Sequence, residues 1–154
     1  MRRMTADISI RPATADDLAA IVAMLADDAL GAARESPDDL EPYVTAYERL
    51  RRDPNQHLVV AVRDGGVVGT LQLTIIPGLS RRGSTRSIIE AVRVHGSERG
   101  QGLGGQLVGW AVDESRRQGC SLVQLTSDLS RPDAHRFYER LGFTGSHLGF
   151  KLQL

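Results

Sequence analysis

The sequence predicts a mixed α/β domain, and three observations support this fold class. Apolar stretches with the alternation typical of strands recur along the chain, separated by stretches with the apolar spacing of helices. One strand and two helices come first and a hairpin follows, after which the pattern is strand, helix, strand, helix, strand. The 154 residues contain no repeat and no linker, so we expect one domain over residues 1–154.

The first half of the chain contains the predicted hairpin and two helices with recognisable start signals. Thr14 with Asp17 three positions later forms an acidic variant of a capping box. Ser36 followed by Pro37 is typical of a helix N-cap with proline at the first helical position. Asp64-Gly65-Gly66 is a hairpin signal between two apolar runs. The predicted strand, two helices and two hairpin strands lie at residues 8–11, 14–29, 36–53, 57–63 and 67–76.

The second half alternates strands with helices, and glycines mark the ends of both helices. Gly119 and Gly142 follow the two helical patterns and are natural C-caps. A loop over residues 79–86 precedes this half. The predicted strand, helix, strand, helix and final strand lie at residues 87–94, 103–118, 120–126, 133–141 and 144–154.

The composition excludes several classes of protein. Basic and acidic residues both number 19, so the formal net charge is +0 and no overall preference for nucleic acid or an anionic membrane is expected. The single cysteine, Cys120, rules out a disulfide within this sequence, and the four histidines lack paired ligand spacing, so we expect no metal site. No apolar run approaches the roughly 18 residues of a membrane helix. Residues 1–7 lack the apolar stretch of a signal peptide, so we expect a cytoplasmic protein.

The most informative segment is the glycine-rich turn at residues 95–105, between the strand at 87–94 and the helix at 103–118. Free N–H groups at a helix start, with glycines that let a ligand approach the backbone, form an anion site. A P-loop is excluded because the turn ends Gly104-Gly105-Gln106, without the required lysine. A Rossmann site is excluded because the glycines come late in the chain and no acidic residue follows at the expected position.

Two signatures instead match one family. Arg99-Gly100-Gln101-Gly102-Leu103-Gly104 matches the pattern Arg/Gln-x-x-Gly-x-Gly/Ala, and residues 134–143 resemble the pattern Ala-x-x-φ-Tyr-x-x-x-Gly-Phe, in which φ is apolar. The chain therefore resembles the GCN5-related N-acetyltransferase (GNAT) superfamily over almost its whole length, most specifically over residues 88–143. The resemblance implies a mixed central sheet of about six to seven strands, with two splayed parallel strands and about four helices.

The resemblance implies an N-acetyltransferase that moves the acetyl group of acetyl-CoA directly to a primary amine of an unidentified small molecule or peptide. The alternative is a non-catalytic sensor or partner module that binds an acyl-CoA. The presence of both Glu90 and Tyr138 favours the enzyme. The implied partner is the amine acceptor, and a homodimer is left open. We expect no binding to nucleic acid or to a membrane. The residues implied to bind acetyl-CoA are Val92, Arg93, Val94, Arg99, Gly100, Gln101, Gly102, Leu103, Gly104 and Gly105.

Two residues are implied to be catalytic. Tyr138 falls at the family position of the general acid that protonates the departing thiolate; the alternative is an aromatic side chain packed against the sheet. Glu90 is the candidate base, since strand alternation would place Glu90, Val92 and Val94 on one face. The alternative is a carboxylate paired with Arg86 or Arg93.

Two further features leave questions open. Arg131 stands where the family often has an asparagine that orients the cofactor, so that hydrogen bond is in doubt. Arg81, Arg82 and Arg86 lie in the loop before the Glu90 strand, close to where the family binds its acceptor. They either contact an anionic group of the acceptor or face solvent.

Overall fold

The computed structural model describes residues 7–154, which form two compact units, residues 7–124 and residues 125–154. The first unit contains all five strands, and the second contains the last helix. The prediction of one domain over residues 1–154 stays a prediction. The strands are β1 (Ser9–Pro12), β2 (Gln56–Arg63), β3 (Gly66–Ile76), β4 (Thr85–Val94) and β5 (Cys120–Gln124). The helices are α1 (Leu18–Ala26), α2 (Ala29–Arg34), α3 (Glu41–Leu50), α4 (Ser80–Gly83), α5 (Leu103–Arg117) and α6 (Pro132–Arg140).

The five strands form one mixed sheet in the order β1-β2-β3-β4-β5. The first three pairings are antiparallel, and β4 pairs with β5 in parallel. The mixed α/β class is therefore confirmed. The hairpin between β2 and β3 turns through Asp64 and Gly65, whose φ angles of 51° and 76° are typical of a type I′ turn.

The expected counts of six to seven strands and four helices are wrong. The predicted strand at residues 144–154 has no regular structure. Its apolar side chains at Leu148, Phe150 and Leu152 are exposed, and a strand forms only where a neighbouring strand satisfies its backbone. The predicted helix at 14–29 ends at Ala26, because the Asp28 side chain accepts a hydrogen bond from the Gly31 amide and starts α2.

Helix α3 begins five residues later than the predicted N-cap at Ser36. The Ser36 amide donates to the Tyr43 hydroxyl at 2.9 Å, and its own hydroxyl donates to the Asp39 carbonyl at 3.2 Å. Ser36 therefore closes a turn before the helix. Short polar side chains compete for backbone groups in this way in turns as well as at helix starts.

Helix α5 covers one face of the sheet. The hydroxyls of Ser87 on β4 and Ser115 on α5 lie 2.7 Å apart and are buried. A Cβ atom at Gly69 on β3 would lie 3.0 Å from Leu107 of α5, so glycine permits the close approach of helix and strand. The core consists mainly of apolar side chains from β2, β3, α1 and α5.

No helix within residues 7–154 is long and apolar enough to cross a membrane. The expectation that no signal peptide is present concerns residues 1–7, and the first six of these lie outside the described residues.

The predicted capping box at Thr14 and Asp17 is present and is extended by Arg11. The buried Asp17 carboxylate accepts the Thr14 amide at 2.7 Å and both Nη groups of Arg11 at 2.7 and 3.0 Å. The hydrogen bond from Arg11 holds the pKa of Asp17 below its usual value, against the opposing effect of burial. This cluster ties β1 to the start of α1.

We expect Asp17→Asn to lower the free energy of unfolding by about 1–3 kcal/mol near neutral pH, because the charged hydrogen bonds are lost. The native pKa of Asp17 is lowered, so its contribution is fully present above the unfolded value of about 3.9 and disappears as pH falls through the native value. Urea unfolding at neutral and acidic pH measures this, with exposed Asp16→Asn as the matched control. An equal loss of stability at both pH values would contradict the assignment.

Candidate functional site

Strand β4 contains a β-bulge near its C-terminal end. Glu90 pairs with Gln72 and Arg93 pairs with Thr70, so three steps along β4 match two steps along β3. Ala91 lies in the left-handed region with φ 53°. A non-glycine residue in this region is strained, and such strain is frequent at functional sites.

The bulge reverses the expected arrangement of side chains. The β3 partners of Glu90 and Arg93 are two residues apart and therefore share a face, so Glu90 and Arg93 share that face too. Val94, one residue further, lies on the opposite face. The prediction that Glu90, Val92 and Val94 lie on one face is therefore wrong. Strict alternation holds only in a strand without an inserted residue.

The Glu90 side chain is exposed and makes no ion pair or hydrogen bond with another residue in the described part of the chain. The alternative of a pair with Arg86 or Arg93 is not observed. Arg93 instead donates to the Val92 carbonyl at 2.9 Å and lies 3.6 Å from the Asp28 carboxylate. Glu90 is thus a carboxylate open to a ligand.

Strands β4 and β5 pair over only part of their length. The parallel register ends at Ile88 and Gln124, whereas β4 continues to Val94. On the side of β4 that faces β5, no strand of residues 7–154 pairs with the segment 89–94. Val92 and Val94 therefore belong to a backbone edge that is available for hydrogen bonding.

The glycine-rich turn leads into α5 through left-handed residues. Gly100 and Gly102 have φ angles of 79° and 80°, and Gly102 is the N-cap of α5. A Cβ atom at Gly102 would meet nothing within 4 Å, so the backbone conformation rather than space requires glycine there. The helix start has no side-chain cap and no acidic residue in its first turn. Its first N–H groups, which include those of Leu103, Gly104 and Gly105, lack intrahelical partners and favour an anion.

Two ion pairs hold this turn in place. Glu98 lies 3.2 Å from Arg63 of β2, with both side chains mostly buried, and Arg99 lies 3.2 Å from Asp27 with both exposed. Gln101 reaches back to the Ser97 carbonyl at 3.5 Å. The turn is therefore anchored to the hairpin and to the end of α1.

Tyr138 lies on α6, in the second compact unit. Its ring makes edge-to-face contacts with Phe137 and Phe143, at centroid distances of 5.0 and 5.9 Å. Arg131 is the N-cap of α6 and forms no capping hydrogen bond with its side chain. The roles predicted for Tyr138 and Arg131 stay predictions.

A small cavity, here called the arginine cavity, is lined by Ser80, Arg81, Ser84, Arg86, Leu122 and Gln124 and has a volume of about 70 Å³. Arg81 and Arg82 in α4 have left-handed φ angles of 53° and 61°, so this turn is strained. Arg81 lines the cavity and Arg82 does not. The sequence pointed to the three arginines but not to Ser80, Ser84 or Gln124. The α4 turn and the pairing of β4 with β5 place these three residues next to the arginines.

The remaining groups with reactive or metal-binding side chains do not form a second site in the described residues. Burial raises the pKa of the half-buried Cys120 thiol, which disfavours a reactive thiolate. Residues 7–154 contain no cluster of three or more His, Cys, Asp or Glu side chains arranged to hold a metal ion.

The chain is similar in sequence and in fold to known acetyltransferases. A model described as the acetyltransferase (GNAT) family matches residues 19–143. An aminoalkylphosphonate N-acetyltransferase of Salmonella typhimurium is 33% identical over 92% of this chain and 88% of that protein. A glucosamine 6-phosphate N-acetyltransferase of Trypanosoma brucei brucei is 40% identical over 58% of this chain and 59% of that protein. A crystal structure from Bacillus halodurans, described as a transcriptional regulator, is 47% identical with a TM-score of 0.91, and the match covers 96% of this chain and all of that one.

Proposed function

Because the chain belongs to the acetyltransferase (GNAT) family, we propose that it acetylates the primary amine of a small molecule, with Glu90 as base and Tyr138 as general acid. Membership makes it an acetyl-CoA-dependent N-acetyltransferase, with acetyl-CoA as co-substrate. The observation that carries the proposal is the exposed, unpaired Glu90 beside the bulge, at the place where β4 continues beyond β5.

The residues of the first unit fit acetyl-CoA. The start of α5, with its free amides at Leu103, Gly104 and Gly105 and no nearby acidic residue in the helix, suits the pyrophosphate. The β4 edge at Val92 to Val94 suits the pantetheine amides, which need backbone partners. When bound, acetyl-CoA supplies the thioester whose acetyl group is transferred.

Three groups of this chain perform the chemistry in the proposal. An alkylamine is almost fully protonated near pH 7, so the Glu90 carboxylate, directly or through water, takes the proton that blocks attack. Amides of the bulge segment donate to the thioester oxygen as negative charge develops on it. As the amine nitrogen bonds to the carbonyl carbon and the C–S bond breaks, the Tyr138 hydroxyl donates its proton to the leaving thiolate. This is a transfer from a phenol with pKa near 10 to a thiol with pKa near 8.5, which a held hydrogen bond makes feasible. The second proton lost by the nitrogen restores the phenol through solvent.

The names of two relatives support a narrower acceptor class. One acts on aminoalkylphosphonates and the other on glucosamine 6-phosphate, and both compounds combine an amine with a phosphorus oxyanion. We therefore propose a small amine with a phosphonate or phosphate group as the acceptor of this chain.

A second candidate function is supported by one comparison. The 47% identical protein from Bacillus halodurans is described as a transcriptional regulator, which favours a module that binds acyl-CoA and signals without turnover. Release of free thiol in the presence of a panel of amines separates the two, because only the enzyme consumes acetyl-CoA.

Acetyl-CoA is expected to raise the melting temperature of the wild type by mass action, and Gly102→Glu is expected to abolish this shift. The substitution places a carboxylate beside the phosphates of acetyl-CoA. It also requires a residue with a side chain to adopt the left-handed φ of 80°. Gly102→Ala is the matched control, because it carries the backbone strain without the charge, and it should retain part of the shift. Thermal denaturation with acetyl-CoA at up to millimolar concentration measures the effect. A wild type without any shift would contradict the proposal.

A further inference from the structure

The arginine cavity contains hydrogen-bond donors and no carboxylate. Its lining residues are two arginines, two serines, a glutamine and Leu122. Its volume of about 70 Å³ is several times the roughly 10–15 Å³ that one water molecule needs. Such a set of donors matches a tetrahedral oxyanion, whose oxygens accept several hydrogen bonds at once.

The arginines of the cavity have no protein partner. Neither the Arg81 nor the Arg86 side chain makes an ion pair or hydrogen bond with another residue in the described range 7–154. The Nε atom of Arg86 is completely buried and has no hydrogen-bond partner. A buried donor without a partner costs stability, so contacts within the protein do not explain the position of this guanidinium.

The cavity lies on the same sheet face as Glu90. The β3 partners of Arg86 and Glu90 are Ile76 and Gln72, four residues apart, so both side chains point to one face of β4. The two Cα atoms are about 13 Å apart along the strand. An arginine and a glutamate side chain that lean towards each other along the strand shorten this separation. The gap that remains suits an acceptor whose anionic group and amine are separated by a few carbon atoms.

We propose, on the basis of the proposed function, that the arginine cavity binds the phosphonate or phosphate end of the acceptor, while its amine faces Glu90. Arg81 and Arg86 form charge-assisted hydrogen bonds to the oxyanion, and Ser80, Ser84 and Gln124 supply further donors. The cavity selects the acceptor by charge and fixes its distance from the base.

Isothermal titration with methylphosphonate tests the cavity without any turnover. The protein is first saturated with CoA, so that the anion site at the start of α5 is occupied. We expect methylphosphonate to bind the wild type, and Arg81→Gln and Arg86→Gln each to weaken binding by about tenfold or more. Arg82→Gln is the matched control, since Arg82 is the adjacent left-handed arginine outside the cavity, and it should bind like the wild type. Acetate should bind more weakly, since it lacks the third oxygen.

Steady-state kinetics with two amines tests the same assignment during turnover. The ratio of kcat/KM for 2-aminoethylphosphonate to that for propylamine should fall about tenfold or more in Arg81→Gln and Arg86→Gln, and stay unchanged in Arg82→Gln. Arg81 is exposed, so its variant keeps the test valid even if Arg86→Gln does not fold. Absence of methylphosphonate binding to the wild type, or equal affinity in all three variants, would overturn the subsite. Absence of thiol release with every amine would instead contradict the proposed function, while the titration still decides the subsite.

Discussion

Tyr138→Phe is expected to lower kcat by about 10²–10⁴-fold while the KM for acetyl-CoA stays close to that of the wild type. The substitution removes one hydroxyl, and the remaining ring keeps its edge-to-face packing with Phe137 and Phe143. Without the hydroxyl, no proton is donated to the departing thiolate. The loss therefore falls on the chemical step and not on binding.

Thiol release under saturating acetyl-CoA and amine measures this loss. Tyr43→Phe is the matched control, because the Tyr43 hydroxyl donates to the Glu35 carboxylate at 2.6 Å and has no part in the proposed chemistry. Its turnover should resemble that of the wild type. If Tyr138→Phe turned over as fast as the control, Tyr138 would be a packing residue only.

The parts of the fold that were predictable from sequence depend on local signals. Alternating apolar residues and the turn residues Asp64 and Gly65 identify the β2–β3 hairpin, because this turn type needs positive φ at both positions. Gly119 and Gly142 likewise adopt the left-handed φ angles expected of helix ends. The glycine-rich start of α5, with Gly100 and Gly102 in the left-handed region, was predictable for the same reason, and its binding of an anion stays a prediction.

The parts that were missed depend on tertiary structure. Ala91 carries no sequence signal for a bulge, since alanine rarely adopts a left-handed φ and does so here within a strand held by its neighbours. Ser36 has the signature of an N-cap, but its hydrogen bonds to Tyr43 and Asp39 make it a turn residue. The apolar alternation of residues 144–154 is a real strand pattern that has no strand partner among the described residues.

The site shows the same division. Three arginines could be picked out from the sequence, yet only the structure shows that Arg81 lines the cavity and Arg82 does not. Glu90 could be named as a candidate base, but it does not share a face with Val94 as strand alternation predicts. What favours Glu90 is its exposed, unpaired carboxylate next to the bulge.

Glu90→Gln is expected to lower the rate near neutral pH by about 10²–10⁴-fold, because glutamine keeps the shape of the side chain but cannot accept a proton. Without this base, the rate depends on the small fraction of amine that hydroxide in solution has already deprotonated. Since an alkylamine has a pKa near 10, the rate of the variant should keep rising into the alkaline range. Exposed Asp113→Asn on α5 is the matched control for loss of one carboxylate.

The pH–rate profile of thiol release, measured for the wild type and Glu90→Gln with the same amine, tests most directly whether this chain transfers acetyl groups through Glu90. The proposed mechanism predicts amine-dependent release that rises with pH to a plateau in the wild type and in Asp113→Asn, and climbs without a plateau in Glu90→Gln. Superimposable profiles for wild type and Glu90→Gln would contradict it.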